Sequence, residues 1–207
     1  MFAFYDKNIL PRLLNWACGQ GPIQKQRQIL IPKAKGKILE IGAGSGLNLP
    51  FYNTETVENI SAIEPSEALR KMCQKQIDRS PVEVILSDAK AENLPYSADE
   101  FDSVILTYTL CTIAEPQKAL AEIKRVLKPD GHLYYCEHGK APDRFTLALQ
   151  RIINPIWKHF AGGCHLDRDI KQLLLSENFQ LDEHTEAYLE KTPRFGGYNY
   201  WGVASLT

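Results

Sequence analysis

The stretch Glu40-Ile-Gly-Ala-Gly-Ser-Gly46 sets a carboxylate near the end of the strand-like run Lys37–Ile41 and three glycines directly after it. Glycine at every second position (Gly42, Gly44 and Gly46, with Ala43 between the first two) lets a turn adopt left-handed dihedrals. It also brings backbone amides against a ligand with no Cβ in the way. The dinucleotide fingerprint GxGxxG would need glycine at position 47, where this chain has Leu47, so a nicotinamide oxidoreductase fits poorly. Two further acids sharpen the reading. Glu64, followed by Pro65, ends the second predicted strand, where a carboxylate can accept hydrogen bonds from both hydroxyls of a ribose. Asp88 ends the third, placed to accept from an adenine amino group while the Ala89 amide donates to the ring. Each acid alone reads as a surface acid; at the ends of successive strands beside a GxGxG turn they specify a nucleoside site.

Those residues need a scaffold that lines up strand ends. Short apolar runs at 37–41, 60–64, 82–86, 101–108 and 131–138 read as strands, and 66–79 and 116–128 as intervening helices, the latter closed by Pro129-Asp-Gly131 as a turn. Strands alternating with helices predict an α/β fold with a Rossmann-like, doubly wound sheet. In such sheets ligands bind beyond the carboxyl ends of the strands, beside the first one. Upstream, helices are predicted over 9–17 and from Pro22 to Ile31; downstream, over 143–160 and 167–177. The alternating runs 179–189 and 197–206, with no helix between them, predict an antiparallel closing hairpin.

In order, "ILEIGAGSG", "AIEPSEALRKM", "SDAKAENLPYSADEFDSVILTYTL" and "EIKRVLKPDGHLYYCEH" resemble the motifs of class I S-adenosylmethionine-dependent methyltransferases. "FYDKNILPRLLNWACG", "EHGKAP", "GGCHLDRD" and "GYNYWGVA" extend the resemblance to the subgroup related to thiol S-methyltransferases, over nearly the whole chain. The resemblance implies seven strands, the last antiparallel, and S-adenosyl-L-methionine as cofactor with S-adenosyl-L-homocysteine as product. It places Glu40 and the Gly42–Gly46 turn at the cofactor's amino-acid end, Glu64 at its ribose and Asp88 with Ala89 at its adenine. Thr107 and Tyr108, leaving the fourth strand, would pass under the sulfonium. One domain is expected over 1–207: a helical cap at 1–35, a cofactor-binding core at 36–138, a helical insertion at 139–178 that helps form the acceptor pocket, and the hairpin at 179–207. The resemblance implies an N-terminal membrane-anchoring segment in the animal members of the subgroup, and none is expected here.

Methyl transfer is an in-line displacement at an activated carbon, so alignment and water exclusion are the main tasks. A thiol acceptor is already partly ionised near neutrality and needs only modest help. The candidates for acceptor positioning or base are His138, His165 and Tyr5, with Tyr5 on a segment able to fold over the site. Asp167 is the expected cap of the helix that follows His165. Cys111 reads as a buried thiol. Cys164 beside His165 completes no ligand pair at a metal spacing, so no metal site is expected. Tyr198, Tyr200 and Trp201 read as sheet-packing residues.

The composition bounds the partners. Five scattered cysteines with no CxxC argue against a disulfide framework and for a reducing, cytoplasmic setting. No acid occurs between Lys7 and Leu39, whereas Lys7, Arg12, Lys25, Arg27, Lys33, Lys35 and Lys37 are basic. This segment reads as solvated helix faces or as a surface for peripheral membrane contact. Without aromatic–basic interleaving, no nucleic acid partner is expected. Phe2, Phe4, Tyr5, Trp16, Phe145, Trp157 and Phe160 suggest a small, hydrophobic methyl acceptor. The alternatives are a phospholipid or quinone methyltransferase at a membrane surface and a non-catalytic cofactor-binding regulatory module.

Overall fold

Ile38, Leu39 and Ile41 in β1 (Gly36–Ile41) and Val104, Ile105 and Leu106 in β4 (Phe101–Thr107) are all essentially inaccessible. Unbroken apolar runs of this kind belong to central strands covered on both faces. The computed structural model describes residues 2–207, with side chains from residue 4 onward. It places these two strands at the centre of a seven-stranded sheet of order β3-β2-β1-β4-β5-β7-β6. The others are β2 (Val57–Ile63), β3 (Val84–Ser87), β5 (Leu127–His138), β6 (Phe179–Tyr188) and β7 (Tyr198–Leu206). β1 pairs in parallel with both β2 and β4, β2 with β3 and β4 with β5, while β7 runs antiparallel to β5 and β6. The winding reverses between β1 and β4, and that switch point opens a crevice at the carboxyl ends of the strands.

Period-two alternation divides the core between the two faces. Leu39, Ile41, Val104 and Leu106 pack with Leu120 and Ile123 of α5 (Pro116–Val126) and Leu174 of α7 (Ile170–Ser176). Ile38, Ile60, Ala62 and Ile105 pack with Leu30 of α3 (Gly21–Leu30) and Cys73 of α4 (Glu67–Ile77). The chain begins with α1 (Phe2–Asn8) and α2 (Leu10–Cys18), two helices where the sequence pattern shows one. Asn15 Oδ1 of α2 accepts from Ser45 Oγ at 2.6 Å, pinning the cap to the glycine turn.

Three local expectations change. α7 begins at Ile170 and is capped by Asp169, whose carboxylate accepts from the Gln172 amide; Asp167 instead accepts from Asn154 Nδ2, tying α7's approach to α6 (Arg144–Phe160). Pro129-Asp-Gly131 lies inside β5: Phe101 pairs with Leu127 and Ser103 with His132, so the intervening residues bulge from the ladder. A single helical turn, α8 (Arg194–Gly197), stands between the two closing strands.

Candidate active site

The crevice is a cavity of about 430 Å³. Its floor is the glycine turn after β1, its sides are the segments after β2 and β4, and α1 and α2 roof it with Asp6, Leu10, Pro11 and Leu14. Gly42 has φ +68°, and a Cβ there would stand 2.3 Å from Thr109 Oγ1, so glycine lets the β1 and β4 loops touch. Gly44 has φ +57° with no neighbouring atom nearer than 3.9 Å, leaving an open cradle. Gly42, Ala43, Gly44, Glu64, Pro65, Thr107 and Tyr108 all line the cavity. Gly46 does not: a Cβ there would lie 3.1–3.2 Å from Gln76, Cys73 and Leu49, so it serves close packing against α4.

Glu64 receives two amides of its own chain, Ser66 N–H at 2.8 Å and Gly44 N–H at 3.0 Å. Burial raises its pKa against the opposing pull of those amides. The carboxylate is thereby locked at the mouth of the turn with lone pairs to spare for a ligand's hydroxyls.

Glu40 stands one residue behind the wall. It is 2 % exposed, and its oxygens accept from Asn48 Nδ2 at 2.9 Å and the Tyr52 hydroxyl at 2.8 Å. Asn48 also donates to Thr107 Oγ1 and accepts from Arg27 Nε, and both Asn48 and Arg27 line the cavity. Burial pushes the Glu40 carboxyl up to about 7, with Tyr52, Asn48 and Arg27 pulling the other way. Glu40 therefore orients Asn48 instead of lining the cavity itself.

Asp88 is exposed at the end of β3, and neither it nor Ala89 lines the cavity; Lys90, Ala91 and Glu92 do. Tyr5 donates to the Phe160 carbonyl at 2.7 Å and packs edge-on against that ring, fastening α1 to α6. His165 is half-buried, its backbone amide donates to the Cys111 carbonyl, and its side chain does not reach the cavity wall. His138 sits behind Tyr108, ring stacked on ring at 6.4 Å, with Nε2 3.0 Å from Cys164 Sγ. Burial opposes its protonation, but Cys164 and Glu137 hold its pKa above the ordinary value. The Trp157 indole N–H donates to Cys164 Sγ at 3.2 Å, and together with neighbouring Cys111 and His138 it holds the Cys164 pKa down, while that of Cys111 is pushed up. None of these candidate bases touches the cavity directly. The aromatic set expected at the acceptor pocket also points elsewhere: Phe4, Trp16, Phe145 and Phe160 are more than half exposed, and the Phe2 side chain lies outside the described residues.

Sequence reasoning missed Glu137. It is fully buried and accepts from the amides of Thr109 (2.6 Å), Leu110 (2.8 Å) and Cys111 (3.2 Å), shaping the loop that carries Tyr108 past the cavity. Its position directly after the apolar run Leu133–Cys136, at the end of a central strand, was the signal that could have found it. Arg27 was also missed, hidden among the basic residues of the cap; it is 3 % exposed and donates to the Cys18 carbonyl at 2.6 Å.

Residues 39–135 match the family model described as a methyltransferase domain. Thiol S-methyltransferase TMT1B of Rattus norvegicus is 35 % identical over 148 residues, covering 68 % of this chain and 60 % of that protein. The chain thus spans about 60 % of the length of that relative. Phosphatidylethanolamine N-methyltransferase of Cereibacter sphaeroides is 25 % identical over 157 residues, 72 % of this chain and 73 % of that one. Among solved structures, a SAM-dependent methyltransferase from Thermotoga maritima shares the fold, with a TM-score of 0.68 at 20 % identity over 100 % of this chain and 99 % of that one.

Proposed function

The chain belongs to the class I S-adenosylmethionine-dependent methyltransferases, and from that premise we propose that it moves a methyl group to a small apolar acceptor, a thiol. The family and fold imply S-adenosyl-L-methionine, which supplies a methyl group already activated by a sulfonium. The observation that carries the reading is Glu64, held by Gly44 and Ser66 at the rim of an open glycine cradle. That geometry suits a ribose edge lying against backbone that no Cβ shields. Asn48 and the Ser45 amide would hold the amino-acid end, Glu64 the ribose, and the Lys90–Glu92 segment would flank the base.

Opposite the cradle, Leu10, Pro11, Leu14 and Ile113 give the cavity an apolar wall that excludes water and suits an apolar acceptor. Cys18, Tyr108 and Thr112 add small polar groups along the same surface. A thiol fits because none of Tyr5, His138 and His165 lines the cavity, and a thiol is the acceptor that least needs a base. The likeness to thiol S-methyltransferase TMT1B supports the same acceptor class.

Calorimetric titration with S-adenosylhomocysteine, on the wild type and on Glu64→Ala, tests the cofactor site. Binding should weaken about tenfold or more in the variant, the effect of removing one charge-assisted hydrogen bond to the ribose. A folded wild type that does not bind refutes the reading. With binding established, methylation of small aliphatic thiols against matched amines and phenols tests the acceptor class.

A second reading has its own observation. On α6, Phe145, Leu149, Ile152, Ile156 and Phe160 form one exposed stripe, Phe145 91 % and Ile152 73 % accessible. Tyr5 links that stripe to exposed Phe4 on α1, and Arg144, Arg151 and Lys158 flank it. Such an edge suits a lipid surface and an acceptor drawn from it, as with the phosphatidylethanolamine N-methyltransferase relative. No helix among the described residues is long and apolar enough to cross a membrane, so the contact would be peripheral.

A further inference from the structure

Cys111, from the loop after β4, His138, at the end of β5, and Cys164, between α6 and α7, meet at one point. Their ligand atoms all lie within 4.8 Å of one another, and His138 Nε2 faces Cys164 Sγ at 3.0 Å. A tetrahedral zinc centre has Zn–S of about 2.3 Å and Zn–N of about 2.0–2.1 Å, which sets ligand-to-ligand edges of roughly 3.5–3.8 Å. The observed spacing brackets those edges, so the side chains would move by only about half an ångström each to enclose an ion.

The two thiols have the surroundings of a built site, while His138 Nδ1 is buried without a hydrogen-bond partner. Both thiols are buried, Cys111 at 2 % and Cys164 at 6 % exposure. The Trp157 indole N–H points at Cys164 Sγ from 3.2 Å, the kind of N–H···S contact that steadies a metal-bound thiolate. Stacking on Tyr108 fixes the His138 ring, and Glu137 holds the Cys111 backbone. Two thiolates with a neutral imidazole balance the charge of a divalent cation, so the three-ligand site buries no net charge before an acceptor arrives.

The site also has a direction. Trp157 and Ala161 close its outer side. Tyr108, which stacks on His138, Thr112, next to Cys111, and Gly162, two residues before Cys164, all line the cavity. We propose that Cys111, His138 and Cys164 are a three-ligand zinc site whose fourth position opens toward the cavity and takes a thiolate. A thiol entering that position binds the ion through its sulfur and gives up its proton to solvent in the cavity, because coordination lowers the thiol pKa. The metal site stands independently of the methyl-transfer reading; its use for a thiol acceptor rests on that reading.

The test uses the whole chain, stripped with a chelator and titrated with Co²⁺ and Zn²⁺. One equivalent of Co²⁺ should give thiolate-to-cobalt charge-transfer absorption and the intense ligand-field bands of a tetrahedral centre. Cys111→Ser and Cys164→Ser should each lower Zn²⁺ affinity at least about 100-fold, while Cys73→Ser, in the opposite core layer, should not. X-ray absorption on the zinc-loaded wild type bypasses any folding defect of the variants; two sulfur and one nitrogen ligand are expected. Absence of metal binding, or a different ligand set, overturns the site. Adding 2-mercaptoethanol to the Co²⁺ form should strengthen the charge-transfer absorption by a third thiolate. Metal binding with no response to the thiol overturns the assignment of the fourth position and leaves the methyl-transfer reading to be judged by S-adenosylhomocysteine binding.

Discussion

Replacing Glu40 by glutamine should make the protein more stable in mild alkali and change its stability little in mild acid. Glu40 is 2 % exposed and titrates at about 7 in the fold, against an ordinary value of 4.5. The folded state therefore holds a proton that the unfolded chain has already released between those values. The stability linked to this group is complete below the unfolded pKa and is lost as pH rises through the folded one. From about pH 5 to about pH 8 the loss comes to about 2.5 kcal/mol, because each pKa unit is worth about 1.4 kcal/mol. Glutamine stays neutral throughout and can keep both partners: its oxygen accepts from Asn48, and the Tyr52 hydroxyl turns from donor to acceptor. The gap in melting temperature between Glu40→Gln and wild type should thus widen by roughly 5–10 °C between those pH values, at about 2–4 °C per kcal/mol for a chain of this size. Thermal denaturation of both proteins in a pH series, without ligand, reads it directly. A gap that stays constant or narrows with rising pH would show that Glu40 is not the titrating group and that its burial is relieved by water.

Other expectations follow from the same geometry. Gly44→Ala should cost only about 1 kcal/mol of stability, the strain of a left-handed alanine, yet weaken S-adenosylhomocysteine binding markedly by filling the cradle. Gly46→Ala should do the reverse, since its Cβ meets Cys73, Gln76 and Leu49 and not the cavity; equal effects on binding would refute the division. Glu137→Ala leaves three buried amides without an acceptor and should cost about 3 kcal/mol or more by denaturant titration, with Glu137→Gln less severe. An unchanged midpoint in the alanine variant would show that the loop is held by something else. If the α6 stripe meets lipid, Ile152→Asp with Ile156→Asp should abolish co-sedimentation with anionic vesicles; a wild type that never sediments with them removes the membrane-surface reading.

How much was legible in the sequence depends on whether the determinant is local. The β1 turn, the acid after β2, the parallel sheet and the antiparallel end could be read because period, glycine spacing and strand-end position are properties of adjacent residues. The one-turn α8 and the bulge over Lys128–Gly131 escaped because each depends on what a neighbouring strand demands of the ladder. The placement of Glu40 and Gly46 relative to the cavity wall escaped for the same reason. Their spacing is a motif, but which side of the wall they face is settled by Asn48, Tyr52 and α4.

Only the tertiary structure could join Cys111, His138 and Cys164, which no spacing rule connects, or separate buried Arg27 from the solvated basic residues around it. Sequence periodicity determines which backbone is built and where its strand ends lie, since those follow from hydrogen bonding and apolar patterning along the chain. Distances between side chains on different elements depend on how the layers pack, and that is settled only when the whole core closes.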